Sequence, residues 1–303
     1  MTIRAMESAR AHGAALPVTV VLPTIGRPQL IRQCLESLAH CDPPADEILV
    51  VDSSDDEAVA EVVRTFAPPA RRIHCPAHGL GTAFNLGLFE ARHEIVLLTN
   101  DDCTVEPSWV ERGFAHVSAD GAAIVTGRVR PRGDPEVVPS TVDDPVAREY
   151  SGTPAFVLYT QCMAFRRSIV LEFDGFDGSI RPSAEDNDLS YRWLRAGRRI
   201  RYEPDLVVWH HDWRSREQLE RLYVGYGVGQ GMVYGKHLRR GDLLIVRYLA
   251  AALYSASRGL AARLVRGSRG RADPRLGMIR GLPRGLTRGW RSSGTSVPER
   301  FLE

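Results

Sequence analysis

Clusters of acidic and polar side chains follow short apolar runs at three points of the chain. Residues 23–27 follow the first run, residues 52–56 follow the second, and residues 100–102 follow the fourth. Because ligands bind beyond the carboxyl ends of strands in an open α/β sheet, we expect these clusters to meet at one edge. Carboxylates that converge there repel each other unless a cation lies between them, and hard oxygen ligands suit Mg²⁺ or Mn²⁺. This chemistry predicts a metal-bound phosphate or diphosphate.

A further acidic cluster, at residues 185–188, begins a predicted helix. On that helix Glu185 and Asp188 share one face, whereas Asp186 points elsewhere. One carboxylate of the cluster could serve as a general base. The alternative is an acidic first turn, which the helix dipole favours, just as the three earlier clusters could be ordinary turns.

The elements that would position these residues alternate along the chain. Short apolar runs predict strands, at residues 18–22, 47–51, 71–75, 94–99, 122–126, 155–165, 199–202 and 206–210. Helical spacing of apolar residues predicts helices, at residues 29–39, 57–66, 82–92, 108–117 and 183–196, with Ser183 as the cap of the last. Continuous apolarity within the strands indicates a parallel sheet buried on both faces. The predicted fold class is α/β, a doubly wound, mainly parallel sheet flanked by helices and followed by a helical, basic C-terminal region.

Charge is distributed unevenly over the 303 residues. The formal net charge is +2, yet the part that begins at Lys236, the chain's one lysine, holds 15 basic and 4 acidic residues. The five cysteines form no CxxC pair, and the N-terminus lacks an apolar signal region. We therefore expect reduced thiols and a cytoplasmic location. Arginines interrupt the longest apolar stretch, at residues 243–264, which argues against a membrane-spanning helix.

Taken in order, these motifs resemble those of family 2 glycosyltransferases, which have the nucleotide-sugar-binding fold called GT-A. The resemblance covers residues 17–215 and includes the family's opening strand and loop, its nucleotide loop, its acidic metal-binding motif and its catalytic helix. The matching segments are residues 20–28, 35–38, 47–53, 79–87, 94–102 and 185–210.

The resemblance implies an inverting transfer of a sugar from a nucleoside-diphosphate sugar to an acceptor hydroxyl. Asp186 matches the general base of the family, and Asp102 with His210 would hold Mn²⁺ or Mg²⁺. His211 is an equally available neighbour of His210. The acceptor side would include Glu185 and Arg181. Contacts to the nucleotide sugar would come from Pro23, Thr24, Arg27, Asp52, Ser53, Gly79, Asn85, Asn100 and Asp101.

Three positions depart from the family pattern on the donor side. Asn100 stands where an aspartate is usual, Ser53 stands where many members read uracil with an aspartate, and Phe84 stands where an arginine is common. A UDP-sugar is the first expectation for the donor, with the base left open. Two alternatives are a degenerate nucleotide-sugar-binding subunit and a sugar-phosphate nucleotidyltransferase. The latter needs a glycine-rich loop bearing arginine or lysine after the first strand, and residues 23–27 contain one glycine and no lysine.

We divide the chain into a leader (residues 1–16), a catalytic domain (17–215) and an arginine-rich helical region (216–303). Within the catalytic domain, residues 17–127 would bind the nucleotide sugar and residues 128–215 the acceptor. The acceptor is expected to be a glycan, a lipid-linked molecule or a small molecule.

Two hypotheses explain the basic C-terminal region. It could lie on an anionic membrane, on the inner face where lipid-linked acceptors are found, or it could pack on the catalytic domain as a helical hairpin with a solvated basic face. Residues 221–231 resemble segments that close the acceptor side in related enzymes. Aromatic residues are sparse among the arginines, so nucleic acid is not an expected partner.

Overall fold

Parallel strands from the N-terminal half form one side of the central sheet. The computed structural model describes residues 14–77, 79–135, 137–266 and 273–292. In the order β3-β2-β1-β4, the parallel strands are β1 (Leu16–Thr24), β2 (Ala45–Asp52), β3 (Ala70–His74) and β4 (Ile95–Leu98). In β1, Val20 packs into one hydrophobic cluster and Val21 into another. Both faces of the sheet are therefore covered, which explains the continuous apolar runs.

Strands of mixed direction complete the sheet. They are β5 (Cys103–Val105), β6 (Ile124–Arg132), β7 (Arg148–Tyr150), β8 (Met163–Arg166) and β9 (Ile200–His211). Beyond β4 the order is β8-β6-β9-β5, and β7 pairs with β9. β8 is antiparallel to both of its neighbours, and β6 and β9 are parallel. The predicted α/β class is confirmed. The antiparallel strand pairs are those that β8 and β9 form in this second part of the sheet.

Helices cover both faces of the sheet and continue beyond its last strand. They are α1 (Pro28–Ala39), α2 (Ala58–Arg64), α3 (Leu80–Glu90), α4 (Trp109–Ala119), α5 (Arg167–Leu171), α6 (Glu185–Arg195), α7 (Arg216–Arg239), α8 (Leu244–Arg266) and α9 (Pro274–Arg291). Within the described ranges, no helix is both long and apolar enough to cross a membrane. Most of the predicted leader lies outside the described residues, and β1 begins at Leu16.

The strand predicted at residues 155–165 is wrong over most of its length, because only its end joins β8. The backbone of Ala155 and Val157 bonds instead to a helix side chain: Ser190 Oγ in α6 donates to the Ala155 carbonyl at 2.6 Å and accepts from the Val157 N–H at 3.1 Å. The backbone polar groups thus find partners without a neighbouring strand.

Three further local predictions differ from the structure. The predicted loop at residues 128–150 contains the end of β6 and all of β7. The two strands predicted near Pro204 form one strand, β9, with a register shift between Gly127 and Arg128 of the paired strand. Ser183 does not cap α6: its hydroxyl donates to the Gly225 carbonyl at 3.3 Å, and Ala184 precedes the helix with a φ of 73°.

Glycine faces glycine where α7 and α9 pack together. A Cβ on Gly281 would lie 2.2 Å from the Val224 carbonyl oxygen, and one on Gly231 would lie 2.5 Å from the Leu282 carbonyl oxygen. Only glycine lets the two backbones approach so closely. The same close contact is made by Gly227, Gly231 and Gly235 of α7 and by Gly277, Gly281, Gly285 and Gly289 of α9. The sequence leaves open whether the glycines of residues 225–231 form a flexible or a close-packed interruption of a helix. In the structure they lie in the packed middle of the continuous helix α7.

Candidate active site

A cavity of about 690 Å³ opens at the carboxyl ends of β1 and β4. Its volume lies within the range of small-molecule sites, about 300–1,000 Å³. Residues 100–102 and residues 184–187 both line it, so the structure brings the two acidic clusters together. The C-terminal helices form part of the wall, through Leu222, Tyr226, Gln230 and Met278.

Asp101 is held by one partner at the end of β1 and by another in the loop that follows. Its Oδ2 accepts a 2.6 Å hydrogen bond from Thr24 Oγ1 and lies 2.9 Å from Arg27 Nε. Burial raises the pKa of Asp101 to about 7, although Arg27 acts to lower it. Thr24 and Arg27, which the sequence predicted at the nucleotide sugar, therefore fix the first carboxylate of the acidic pair.

Asp102 lies among cationic and N–H groups. Its Oδ2 is 3.4 Å from His210 Nε2 and accepts from Trp213 Nε1 at 3.0 Å and from Arg214 Nη2 at 2.9 Å. Burial alone would raise the pKa of this carboxyl, but His210, Arg214 and Arg27 hold it well below its usual range. Asp102 is thus an anion at neutral pH.

The pairing of β5 with β9 decides which histidine reaches the cavity. Cys103 lies opposite His210, which brings the His210 ring to Asp102. His210 is 2% exposed, and neither ring nitrogen has a hydrogen-bond partner within the described part of the chain. His211 points to the opposite side, where its Nε2 lies 3.0 Å from Thr104 Oγ1. Alternation along the strand therefore places His210 in the cavity and His211 outside it.

A buried carboxylate beside an imidazole whose nitrogens make no hydrogen bond within the described residues is a donor set that fits a divalent cation. Asp102 and His210 would be its protein ligands, and Mg²⁺ or Mn²⁺ commonly takes its other ligands from water and phosphate oxygens. Another group of potential ligands, His116, Glu203 and Asp205, lines neither this cavity nor its side pocket.

The carboxyls of Glu185 and Asp186 differ in proton affinity. Burial raises the pKa of Asp186 to about 6, although the Asn187 N–H, which donates to Oδ1 at 2.7 Å, acts to lower it. Burial, and then the charge of Asp186, raise the pKa of Glu185 to about 8. Near neutral pH Asp186 is therefore ionised and Glu185 is protonated. Such a separation is typical of an acid–base site.

A buried ionic network anchors α6, the helix that carries Asp186. Lys236 Nζ of α7 donates to Asp188 Oδ1 at 2.8 Å and to Asp177 Oδ2 at 2.7 Å. Arg192 Nε also donates to Asp188, at 2.7 Å. The sequence marks Lys236 only as the single lysine in a chain that otherwise uses arginine, and this feature did not lead to a predicted role for it.

A small side pocket of about 80 Å³ adjoins the cavity and shares Pro23, Arg27 and Gly79 with it. Among its lining residues are Pro23, Thr24, Arg27, Ser53 and Gly79. Gly79 has a φ of 131°, and a Cβ there would lie 2.8 Å from Arg181 Nε. Glycine at this position lets Arg181 approach the backbone at the start of α3.

Asp52 and Asn85, which the sequence predicted at the nucleotide sugar, line neither the cavity nor its side pocket. Asp52 is fully buried, and its carboxylate accepts from Arg72 Nε at 2.7 Å and from the Ser54 N–H at 2.9 Å. The Asn85 amide donates to the Phe176 carbonyl at 2.7 Å and accepts from the Phe176 N–H at 2.9 Å. Both side chains hold loops in place.

The cavity also contains residues that sequence analysis did not select. Ten predicted site residues do line it: Pro23, Arg27, Gly79, Asn100, Asp101, Asp102, Arg181, Glu185, Asp186 and His210. The principal additions are Arg214, Tyr226, Gln230 and Met278. Arg214 follows the strand of His210 in sequence. Tyr226 and Gln230 lie within the segment 221–231, whose resemblance to acceptor-side segments was the available signal.

Residues 19–173, about half of the chain, match the family model described as glycosyl transferase family 2. The chain belongs to this family. This glycosyltransferase is 29% identical over 224 residues to the pre-mycofactocin glycosyltransferase of Mycobacterium tuberculosis, covering 66% of the present chain and 45% of the relative. It is 26% identical over 118 residues to glycosyltransferase AglE of Haloferax volcanii, covering 37% of this chain and 39% of AglE. The chain thus spans less than half of either relative.

Solved structures show the same GT-A fold. The mannosyltransferase PcManGT of Pyrobaculum calidifontis, solved with GDP-Man and Mn²⁺, has a TM-score of 0.63 at 19% identity, covering 90% of this glycosyltransferase and 87% of PcManGT. S. aureus TarS 1–349 with UDP-GlcNAc has a TM-score of 0.56 at 19% identity, with 72% and 66% coverage.

Proposed function

We propose that this glycosyltransferase transfers a sugar from a nucleoside-diphosphate sugar to an acceptor hydroxyl with inversion, and that Asp186 is the general base. The observation that carries the proposal is the shared cavity: Asp186 and the Asp101–Asp102 pair line one space of about 690 Å³. Asp186, with its pKa raised to about 6, is ionised at neutral pH and can accept a proton.

The reaction balances as a single displacement. The acceptor hydroxyl gives its proton to the Asp186 carboxylate, the acceptor oxygen bonds to the anomeric carbon, and the bond from that carbon to the β-phosphate oxygen breaks. The nucleoside diphosphate leaves with the electron pair. Arg27 and Arg214, which line the cavity, are placed to offset this negative charge. A divalent cation held by Asp102 and His210 would add a further positive charge there.

The substrates proposed are a nucleotide sugar and an acceptor that is a glycan, a lipid-linked molecule or a small molecule. UDP is the first candidate for the nucleotide, with Ser53 in the side pocket as a hydrogen-bonding group. We propose that residues 17–215 catalyse transfer and that the C-terminal helices close the acceptor side. The alternative of a degenerate binding subunit rests on Asn100 and Ser53, but Asp102, Asp186 and His210 in one cavity favour catalysis.

The donor is tested by thermal unfolding with UDP, GDP, dTDP and CDP, each with Mn²⁺ or with a chelator. We expect one nucleotide to raise the free energy of unfolding by roughly 2.7 kcal/mol at 100 times its Kd. Arg27→Met, which removes a cavity cation, should reduce that shift, whereas Arg64→Met, far more exposed at 65%, should not. No response to any of the four nucleotides would contradict a nucleotide-sugar donor.

The metal assignment is tested with two adjacent histidines. His210→Ala is expected to weaken Mn²⁺ binding in the presence of the nucleotide by on the order of 10–100-fold. His211→Ala is the matched control, because His211 points away from the cavity to Thr104. Titration of Mn²⁺ followed by its paramagnetic resonance signal measures both affinities. Equal Mn²⁺ affinities in the two variants would refute His210 as a ligand.

A further inference from the structure

The outer face of α8 is apolar although it is exposed. Leu243, just before the helix, is 76% exposed, and Val246, Leu253 and Tyr254 are 44%, 44% and 63% exposed. The opposite side of the helix is apolar as well, because Ile245 belongs to a buried cluster. An ordinary surface helix is polar on its outward side. These four exposed residues define the outer face of α8. Among the residues that the structure describes, none covers this face, although apolar side chains favour a partner there.

The charged side chains of α8 and α9 have one sign. Within α8 and α9 there are nine arginines and no aspartate or glutamate. Arg247 and Arg258 are exposed beside the apolar stripe, and Arg258 lies over the Tyr254 ring at 5.6 Å. In α9 the glycines face α7, while Arg284 and Arg288 are exposed. The sequence repeats Arg-Gly at residues 280–281, 284–285 and 288–289, close to a helical step of four. In the structure this repeat forms a helix with its glycines packed inward and its arginines in solvent.

We propose that the outer face of α8 docks on a lipid bilayer that contains anionic lipid. Leucine, valine and tyrosine side chains can enter the interfacial layer while the neighbouring arginines meet anionic headgroups. A second copy of this chain is a poorer occupant. A two-fold interface would bring Arg247 and Arg258 of one copy towards the same arginines of the other.

The position of α8 relative to the cavity connects this surface to the substrate. Met278 of α9 lines the cavity and also packs against the cluster beneath α8. Helices are about 10–12 Å across, so a docked membrane would lie near the acceptor side. This step rests on the proposed function, and it makes a lipid-linked acceptor the favoured class.

The test is co-sedimentation of the full chain with phosphatidylcholine vesicles, with and without phosphatidylglycerol, in the absence of substrates. We expect binding only to the anionic vesicles, and weaker binding as salt is added. Arg247→Gln with Arg258→Gln should lower the partition coefficient about 25-fold, at about fivefold per arginine. Leu253→Ser with Tyr254→Ser should lower it at least about tenfold. Each changed side chain is exposed, so the variants should fold.

Val146→Ser and Arg64→Gln, both at exposed positions outside α8 and α9, are the controls and should bind as the wild type does. Wild type that stays in the supernatant at low salt would overturn the proposal, as would α8 variants that bind undiminished. A dimer in solution that Leu253→Ser with Tyr254→Ser converts to a monomer would overturn it too, by identifying a second copy as the occupant. Vesicle binding is measured without donor or acceptor, so failure of the proposed function would leave the result interpretable.

Discussion

Asp186→Asn is expected to lower kcat for sugar transfer by about 10²–10⁴-fold while nucleotide binding is retained. The amide has nearly the shape of the carboxylate and can still accept the 2.7 Å hydrogen bond from the Asn187 N–H. It cannot take the proton of the acceptor hydroxyl. The measurement is product formation with the donor identified by thermal unfolding, together with the unfolding shift that the nucleotide produces in the variant.

Stability provides an internal control for this variant. Folding raises the pKa of Asp186 from 3.8 to about 6, so the ionised side chain disfavours the folded state. The free-energy cost of ionising Asp186 in the folded state is absent below pH 3.8. It grows as the pH rises from 3.8 to about 6, and it is complete above about 6. At neutral pH the Asp186→Asn substitution removes the charge, and we therefore expect an unfolding midpoint at least as high as that of the wild type. Asp46→Asn, at an exposed ion pair with His93, should change neither activity nor midpoint appreciably.

The pH profile distinguishes a base from a merely structural carboxylate. With a pKa of about 6, Asp186 is ionised above that value, so kcat/KM should reach a plateau there. Below it, kcat/KM should fall about tenfold for each pH unit as the base is protonated. The residual activity of the Asp186→Asn variant should lack this acidic limb. Undiminished transfer by the variant, or an unchanged acidic limb in its profile, would exclude Asp186 as the base.

Much of the fold of residues 17–127 could be predicted because its signals are local. Each buried parallel strand is a continuous apolar run, and the residues after β1 and β4 must meet at one sheet edge. β5 was missed because three residues are too few to show a period. The glycine-rich part of α7 resembled an interruption because glycine weakens isolated helices. The close packing of α7 on α9, a helix distant in sequence, outweighs the low helix propensity of glycine.

The site was harder to predict wherever one residue type can serve two purposes. From its residue type Asn85 could bind a ligand or hold a loop, and the sequence does not reveal that its amide bonds to Phe176, 91 residues away. Asp52 is similar, because its buried carboxylate pairs with Arg72 of the neighbouring strand. His210 and His211 are indistinguishable in sequence, and the pairing of β5 with β9 separates them. Ambiguities of this kind depend on tertiary contacts that no local pattern contains.

Lys236→Met is expected to lower the free energy of unfolding by about 3–5 kcal/mol, the cost of breaking a buried ion pair. Lys236 is 4% exposed and bonds to both Asp177 and Asp188. Methionine fills a similar volume but leaves those carboxylates without their cation. The measurement is urea unfolding at neutral pH. The matched control is Arg216→Met in the same helix, whose pair with Glu220 is exposed at both ends and should contribute about 0–1 kcal/mol.

The pH dependence and a second variant show whether the charge is responsible. Burial would raise the pKa of Asp188, but Lys236, Arg192 and His237 hold it well below the ordinary value of 3.8. Its stabilising contribution is therefore present above that value and is lost as pH falls towards the lower folded pKa, so the difference between wild type and Lys236→Met should narrow in acid. Combining Lys236→Met with Asp188→Asn should cost less than the sum of the single changes, because each removes part of the same interaction. Additive losses would show instead that Lys236 acts through packing alone, and the link between α7 and the helix of Asp186 would then be steric rather than ionic.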